Sequence, residues 1–149
     1  MAESDTLGNL LSVPLAEDTL GIFAAAKLPA QKRTWTELCQ GKIGTLSPSG
    51  SDGHPRYYQK FVSTTLGTSF KPAFLSDSLE ALRAAAVDGA IAAILPSRVA
   101  RRVPGELVEV RPAGLEDEKL GIHRILLISQ KNCDPVEISI LTEVLKPLF

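Results

Sequence analysis

The stretch SDSLEALRAAAVDGAIAAILP, residues 76–96, holds a helix followed by a strand, with a boundary signal at each end. Asp77 and Glu80 have the spacing of a capping box, which predicts the start of the helix, and Gly89 predicts its end because glycine readily takes the left-handed conformation. Residues 90–95 then form an unbroken apolar run closed by a proline. Such a run favours a strand that is covered on both faces in a parallel sheet.

The sequence on both sides of this stretch repeats the same alternation of helix and strand signals. Thr34 and Glu37 predict a short capped helix, and Asp134, Pro135 and Glu137 occupy the N-cap, N1 and N3 positions of a closing helix. A further helix is expected over residues 55–66, and strands over residues 19–26, 42–46, 70–75, 106–111 and 123–129, whereas residues 14–18 predict a turn. This alternation predicts an α/β fold with a largely parallel sheet.

The length, charge and hydropathy of the chain argue against several classes of protein function. A chain of 149 residues suits one domain or two small lobes. The formal net charge of −1, with acids and bases interspersed, disfavours nucleic-acid binding. The sequence lacks a run of about 20 apolar residues and begins with the polar, acidic MAESDTLGN. We therefore expect a cytoplasmic protein that has no membrane partner.

The residues that carry most enzyme chemistry do not form a known pattern. Cys39 and Cys133 lack paired spacing, and His54 and His123 lack partners at metal-ligand spacing. A phosphate-binding loop, a dinucleotide fingerprint and a nucleophile elbow are missing from the sequence. The acidic run at residues 116–118 is typical of a solvated loop. The sequence thus predicts neither an enzyme, nor a metal site, nor a cofactor.

Four stretches carry a resemblance to a known family. They are PLAEDTLGIF at residues 14–23, TWTEL at residues 34–38, the central helix and strand, and RILLIS with the helix after it. From Pro14 onward the chain resembles the effector-binding domain of LysR-type transcriptional regulators. Ile91 stands where that family usually has a second glycine. The positions that match the family are Pro14, Leu15, Asp18, Leu20, Gly89, Ala93, Leu95 and Pro96.

The resemblance implies a periplasmic-binding-protein-like (type 2) fold, a sheet with flanking helices, as one full subdomain plus part of a second. Residues 1–13 would be a poorly ordered lead-in, residues 14–112 subdomain II, and residues 113–149 the closing strand and helix of subdomain I. The family's helix-turn-helix, linker helix and opening βαβ segment have no counterpart here. DNA binding is therefore expected only through a helix-turn-helix domain that this chain lacks.

Two functions from different classes fit the resemblance. The first is a ligand-sensing domain that binds a small anionic effector. The second is a truncated dimerisation or interaction module that binds no ligand. In both cases we expect a homo-oligomer, because the closing helix and residues 125–128 would expose apolar surface, and large apolar patches mark association sites.

The expected effector site lies beyond the carboxyl ends of the strands, where open α/β sheets bind ligands. The loop after residue 46 leads into a helix, and free N–H groups at a helix N-terminus favour anions. The same serines and glycine could instead cap helices and shape turns, for which such residues are favoured on conformational grounds. The candidate effector-binding residues are Ser47, Ser49, Gly50, Ser51, Ser76 and Ser78, with Pro96 as part of the wall.

Overall fold

The computed structural model describes residues 3–4, 10–47, 56–116 and 118–149. The chain divides into two compact units: unit 1 is Met1–Asp18 together with His123–Phe149, and unit 2 is Thr19–Ile122. Among the residues described, no helix has both the length and the hydropathy to span a bilayer.

Eight strands and five α-helices make up the described chain. The strands are β1 Glu3–Ser4, β2 Leu10–Asp18, β3 Leu20–Ala25, β4 Ile43–Leu46, β5 Phe74–Ser76, β6 Ala92–Pro96, β7 Leu107–Val110 and β8 His123–Gln130. The helices are α1 Trp35–Leu38, α2 Arg56–Thr65, α3 Leu79–Asp88, α4 Ser97–Ala100 and α5 Pro135–Leu145.

Unit 2 is built on a five-stranded sheet with the order β5-β4-β6-β3-β7. Strands β5, β4 and β6 are parallel, as their crossover connections through α2 and α3 require. Strand β3 runs antiparallel to both β6 and β7, so the sheet is mixed and less parallel than predicted. The first residue of β3, Leu20, pairs with the last residue of β6, Pro96, so the two strands run in opposite directions.

Helices cover both faces of this sheet. On one face Tyr58 and Phe61 of α2 pack with Ile94 of β6. On the other face Leu82 of α3 packs with Leu95, the next residue along the same strand. Successive residues of a strand point to opposite faces, so the unbroken apolar run of β6 fills two cores at once. The predicted strand with two covered faces is confirmed.

Local signals define the ends of α1 and α3. The Thr34 hydroxyl accepts a hydrogen bond from the Glu37 N–H at 3.2 Å, as the capping box predicts. At α3 the N-cap is Ser78, whose hydroxyl accepts from the Ala81 N–H at 3.2 Å, so the prediction that Asp77 caps this helix is wrong by one residue. Gly89 ends α3 with a φ of 91°, in the left-handed region.

Unit 1 contains an antiparallel sheet with the order β1-β2-β8. Residues 14–18, predicted as a turn, belong instead to the nine-residue strand β2. Pairing with β8 makes this strand, and the register shifts between Pro14 and Ala16, where proline has no N–H to donate. Residues 10–13 of the predicted lead-in form the start of the same strand.

The two compact units divide the chain after residues 18 and 122, whereas the resemblance implied subdomain boundaries at residues 14 and 113. Residues 14–18 pair with β8 and lie in unit 1. Residues 113–122 lie in unit 2, where the Leu120 carbonyl accepts a hydrogen bond from the Leu20 N–H at 3.0 Å.

Helix α5 of unit 1 begins as predicted and leaves an apolar face uncovered. The Asp134 carboxylate accepts from the Val136 N–H at 2.9 Å, and a proline occupies the first turn. Thr142 is the buried residue of the helix. The exposed apolar face of α5 consists of Val136, Ile140, Leu141 and Val144, each about half exposed or more.

Candidate functional site

Three parallel strands of unit 2 end side by side at one edge of the sheet. The Ser47 N–H, just after β4, donates to the Ser76 carbonyl at the end of β5 over 2.7 Å. Strand β6 pairs with the other side of β4 and ends at Pro96. Ser47, Ser76 and Pro96 are all half-buried. The sequence-predicted residues of this part of the chain thus occupy adjacent strand ends.

Thr19, just before β3, and Ser97, just after β6, add two hydroxyl groups to the same edge. The Ser97 N–H donates to the Thr19 carbonyl at 2.8 Å, and the two side-chain oxygens share a hydrogen bond, also of 2.8 Å. Sequence reasoning missed both residues. Ser97 directly follows the predicted wall residue Pro96, which is a usable signal, but the antiparallel pairing that brings Thr19 there has no local signature. We call Thr19, Ser47, Ser76, Ser78 and Ser97 the strand-end cluster.

Two of the predicted serines also have structural roles. The Ser76 hydroxyl accepts a hydrogen bond from the Ser78 N–H at 3.1 Å, and the Ser78 hydroxyl caps α3. Ser76 and Ser78 therefore have the structural role that was the alternative to ligand binding: they shape the turn before α3 and cap that helix. A hydroxyl that accepts one hydrogen bond keeps its own O–H to donate, so capping leaves a donor for a ligand.

The remaining predicted residues, Ser49, Gly50 and Ser51, lie outside the described residues. They belong to the connection between β4 and α2, of which only Ser47 is described.

Tyr58 fixes the strand β6 that carries Pro96. Its ring is 1% exposed, and its hydroxyl donates to the Ile94 carbonyl at 2.6 Å. Burial raises the pKa of Tyr58 to about 12, while the nearby Thr45 hydroxyl and Leu46 backbone lower it in part.

Arg83 ties α3 to the segment that follows the strand-end cluster. Its Nε donates to the Val99 carbonyl at 3.0 Å, and a terminal nitrogen of the same side chain contacts the Glu106 carboxylate at 2.7 Å. The Arg83 side chain is only 12% exposed. These contacts hold α3 and α4, the two helices that begin at the strand ends, in fixed positions.

The described residues offer little for metal binding. No group of three or more His, Cys, Asp or Glu side chains there could hold a metal ion. The arrangement instead offers hydroxyl and backbone groups that can hydrogen-bond a small polar molecule.

Solved structures of transcriptional regulators and of their regulatory domains have the same fold as this chain. The full-length LysR-type regulator HypT from Salmonella typhimurium matches with a TM-score of 0.62 and 19% identity, over 99% of this chain and 51% of that one. The reduced regulatory domain of OxyR from Pseudomonas aeruginosa matches with a TM-score of 0.60 and 18% identity, over 98% of this chain and 70% of that one. The effector domain of AmpR from Pseudomonas aeruginosa matches with a TM-score of 0.61 and 15% identity, over 94% of this chain and 67% of that one.

These likenesses show the fold of the chain. It is the fold of the effector-binding domains of LysR-type transcriptional regulators, as the resemblance implied. The chain spans about half the length of the full-length regulator and about 70% of the regulatory domain of OxyR. No protein-family model matches the chain, and no curated protein matches it.

Proposed function

We propose that the chain is the ligand-sensing part of a LysR-type transcriptional regulator, that it binds a small anionic effector, and that it has no enzymatic activity. It would act on DNA only through a helix-turn-helix domain on another segment. The observation that carries the proposal is the strand-end cluster, because it collects hydroxyl groups where open α/β sheets bind ligands.

The dimensions of the cluster suit a small carboxylate. Neighbouring strands lie about 4.8 Å apart, so Ser76 at the end of β5 and Ser97 at the end of β6 are separated by roughly 10 Å. Ser78 is the N-cap of helix α3, and the N-terminal end of a helix carries partial positive charge. A carboxylate there would accept hydrogen bonds from the hydroxyl groups of two neighbouring strand ends.

A thermal-shift screen with benzoate, salicylate, succinate and 2-oxoglutarate tests the proposal. A ligand at about 100 times its dissociation constant stabilises the native state by about 2.7 kcal/mol, which is readily detected. The neutral amides of the same acids are the controls. No shift with any carboxylate in this set, or equal shifts with the amides, would count against an anionic effector.

Ser47→Ala and Ser76→Ala then locate the site. A hydrogen bond to a charged ligand contributes about 1.5–3 kcal/mol, so each change should weaken binding roughly ten-fold or more. Ser139→Ala, on the exposed surface of α5, is the matched control and should bind as the unchanged protein does. Calorimetry well below the melting temperature separates affinity from any loss of stability. Unchanged affinity in both test variants would reject the site.

The exposed apolar face of α5 favours a second candidate, a dimerisation or interaction module. An apolar surface this wide on one helix is typical of an association site. Homo-oligomer formation is compatible with both candidates, so the ligand screen decides between them.

A further inference from the structure

Strand β8 forms one edge of the sheet of unit 1. In the strand order β1-β2-β8 it has β2 on one side, and all of its residues, His123–Gln130, lie in register with β2. In the part of the chain that the structure describes, no strand pairs with the other side of β8. The backbone N–H and C=O groups of every second residue of β8 therefore point away from β2, towards an uncovered edge.

The other sheet edges of the described chain carry features that hinder strand pairing. In unit 2, β5 has only three residues and closely follows Pro72, and β7 has only four residues, one of which is Glu109. In unit 1, β2 contains Pro14 and is partly covered by β1. Short strands, proline and charge protect sheet edges against pairing with other chains. Strand β8 lacks this protection, because Ile125–Ser129 contains neither proline nor charge.

The side chains of β8 suit pairing with a second copy of the same strand. None of its residues is fully buried, and Ile128 is 53% exposed. In an antiparallel pair of two β8 strands with Leu127 opposite itself, Leu126 of one copy lies opposite Ile128 of the other on the same face of the sheet. In this register Arg124 of each copy lies opposite Gln130, so the guanidinium meets an uncharged hydrogen-bond acceptor rather than a second cation. The strand is thus self-complementary, as a twofold interface requires.

We propose that the uncovered edge of β8 binds β8 of a second copy of this chain, in an antiparallel pairing with Leu127 at the twofold axis. The two three-stranded sheets of unit 1 then form one six-stranded sheet. The partner follows from the edges themselves, because strand pairing needs two unprotected edges and β8 is the one that the described chain offers. This backbone pairing gives the expected self-association a fixed register, which the exposed apolar face of α5 alone does not.

Disulfide cross-linking between two copies tests the register. The full chain is prepared with Cys39→Ser and Cys133→Ser, which removes both native thiols, and is then given either Leu126→Cys or Ile128→Cys. Opposite residues of an antiparallel pair have Cβ atoms about 4.5–5.5 Å apart, whereas diagonal neighbours lie about 7–8 Å apart. A mixture of the two variants under mild oxidation should therefore give roughly five-fold more cross-linked dimer than either variant alone. Equal cross-linking in the mixture and in either variant alone, or none in any of them, would overturn the pairing.

Charge changes at Gln130 test the same register without cross-linking. Gln130 is exposed, and Gln130→Glu places a carboxylate opposite Arg124 of the second copy, whereas Gln130→Arg places a second cation there. Analytical ultracentrifugation at low ionic strength should show association roughly three-fold tighter for Gln130→Glu and roughly three-fold weaker for Gln130→Arg. Gln40→Glu and Gln40→Arg, at an exposed amide of unit 2, are the matched controls and should associate as the unchanged protein does. A monomer at high concentration, or two Gln130 variants that associate equally, would overturn the proposal.

Discussion

Unit 2 and unit 1 bury their apolar residues to very different extents. In unit 2 the sheet is covered on both faces, and Leu82, Ile94 and Leu95 have no exposed surface. In unit 1, by contrast, Val136 and Ile140 of helix α5 are more than half exposed. The comparison teaches that unit 2 has a complete core of its own, whereas unit 1 leaves an apolar face of α5 exposed.

The largest expected difference between the units is in how much unfolding free energy is lost when an apolar side chain is removed. Leu82→Ala should lower the free energy of unfolding by about 2–5 kcal/mol, because it leaves a cavity in a filled core. Ile140→Ala, on the exposed face of α5, should change it by less than about 0.5 kcal/mol. Urea unfolding measures both. Equal losses would mean that α5 is covered in solution as thoroughly as α3.

The second prediction concerns the pH dependence of unit 2. The folded-state pKa of Tyr58, about 12, lies above its ordinary value of 10. Between these values the unfolded chain binds fewer protons than the native one, so stability is complete below pH 10 and falls as the pH rises towards 12. The expected loss is roughly 2–3 kcal/mol.

Tyr58→Phe and Tyr57→Phe make a matched pair for this prediction. The unchanged protein and the Tyr58→Phe variant should differ less in unfolding free energy at pH 11.5 than at pH 9. Only the unchanged protein loses stability through the Tyr58 hydroxyl as the pH rises. Tyr57→Phe should keep the pH dependence of the unchanged protein. The same slope in all three proteins would contradict the burial of the Tyr58 hydroxyl.

The third prediction concerns the exposed face of α5. We expect the 16.0 kDa chain to self-associate through this face. The double change Ile140→Lys and Val144→Lys should weaken association at least ten-fold, or about 1.4 kcal/mol, because it places charges in an apolar contact. Ser139→Lys, on the same helix, adds a charge outside the apolar face and is the control.

Light scattering over a range of concentrations measures this effect. A stable monomer at high concentration would contradict the prediction, and so would an equal loss of association in the Ser139→Lys control.

The smallest expected effect is at the start of α3. Ser78→Ala removes the N-cap hydroxyl and should cost about 1 kcal/mol of unfolding free energy. Ser139→Ala, at an exposed helical position, should stay within about 0.5 kcal/mol. A Ser78→Ala protein as stable as the unchanged one would show that Asp77 takes over as the cap.

Helix ends could be predicted from the sequence, because residues within one helical turn determine them. Thr34, Gly89 and Asp134 act at helix ends because their side chains or backbone satisfy groups within the next turn. Strand β2 was missed because its residues gain their partners from β8, more than 100 positions further along the chain. Pairing at that distance leaves no periodic signal in the strand itself.

The residues of the candidate site also fall into those that local sequence signals predict and those that depend on distant strand pairing. The positions of Ser47, Ser76 and Pro96 at strand ends were predictable because each ends or directly follows a strand, and parallel strands joined by helices end at one edge of a sheet. Thr19 was not predictable, because it reaches that edge through the antiparallel strand β3.

The central claim is that a small carboxylate binds at the strand-end cluster of unit 2. Amide chemical-shift mapping of the full chain, with the carboxylate that gives the largest thermal shift, tests it most directly. The account predicts shifts at Ser47, at residues 76–80 and at Ser97, while the amides of α5 stay unchanged. Shifts confined to α5, or the absence of any shift at the three strand ends, would contradict it.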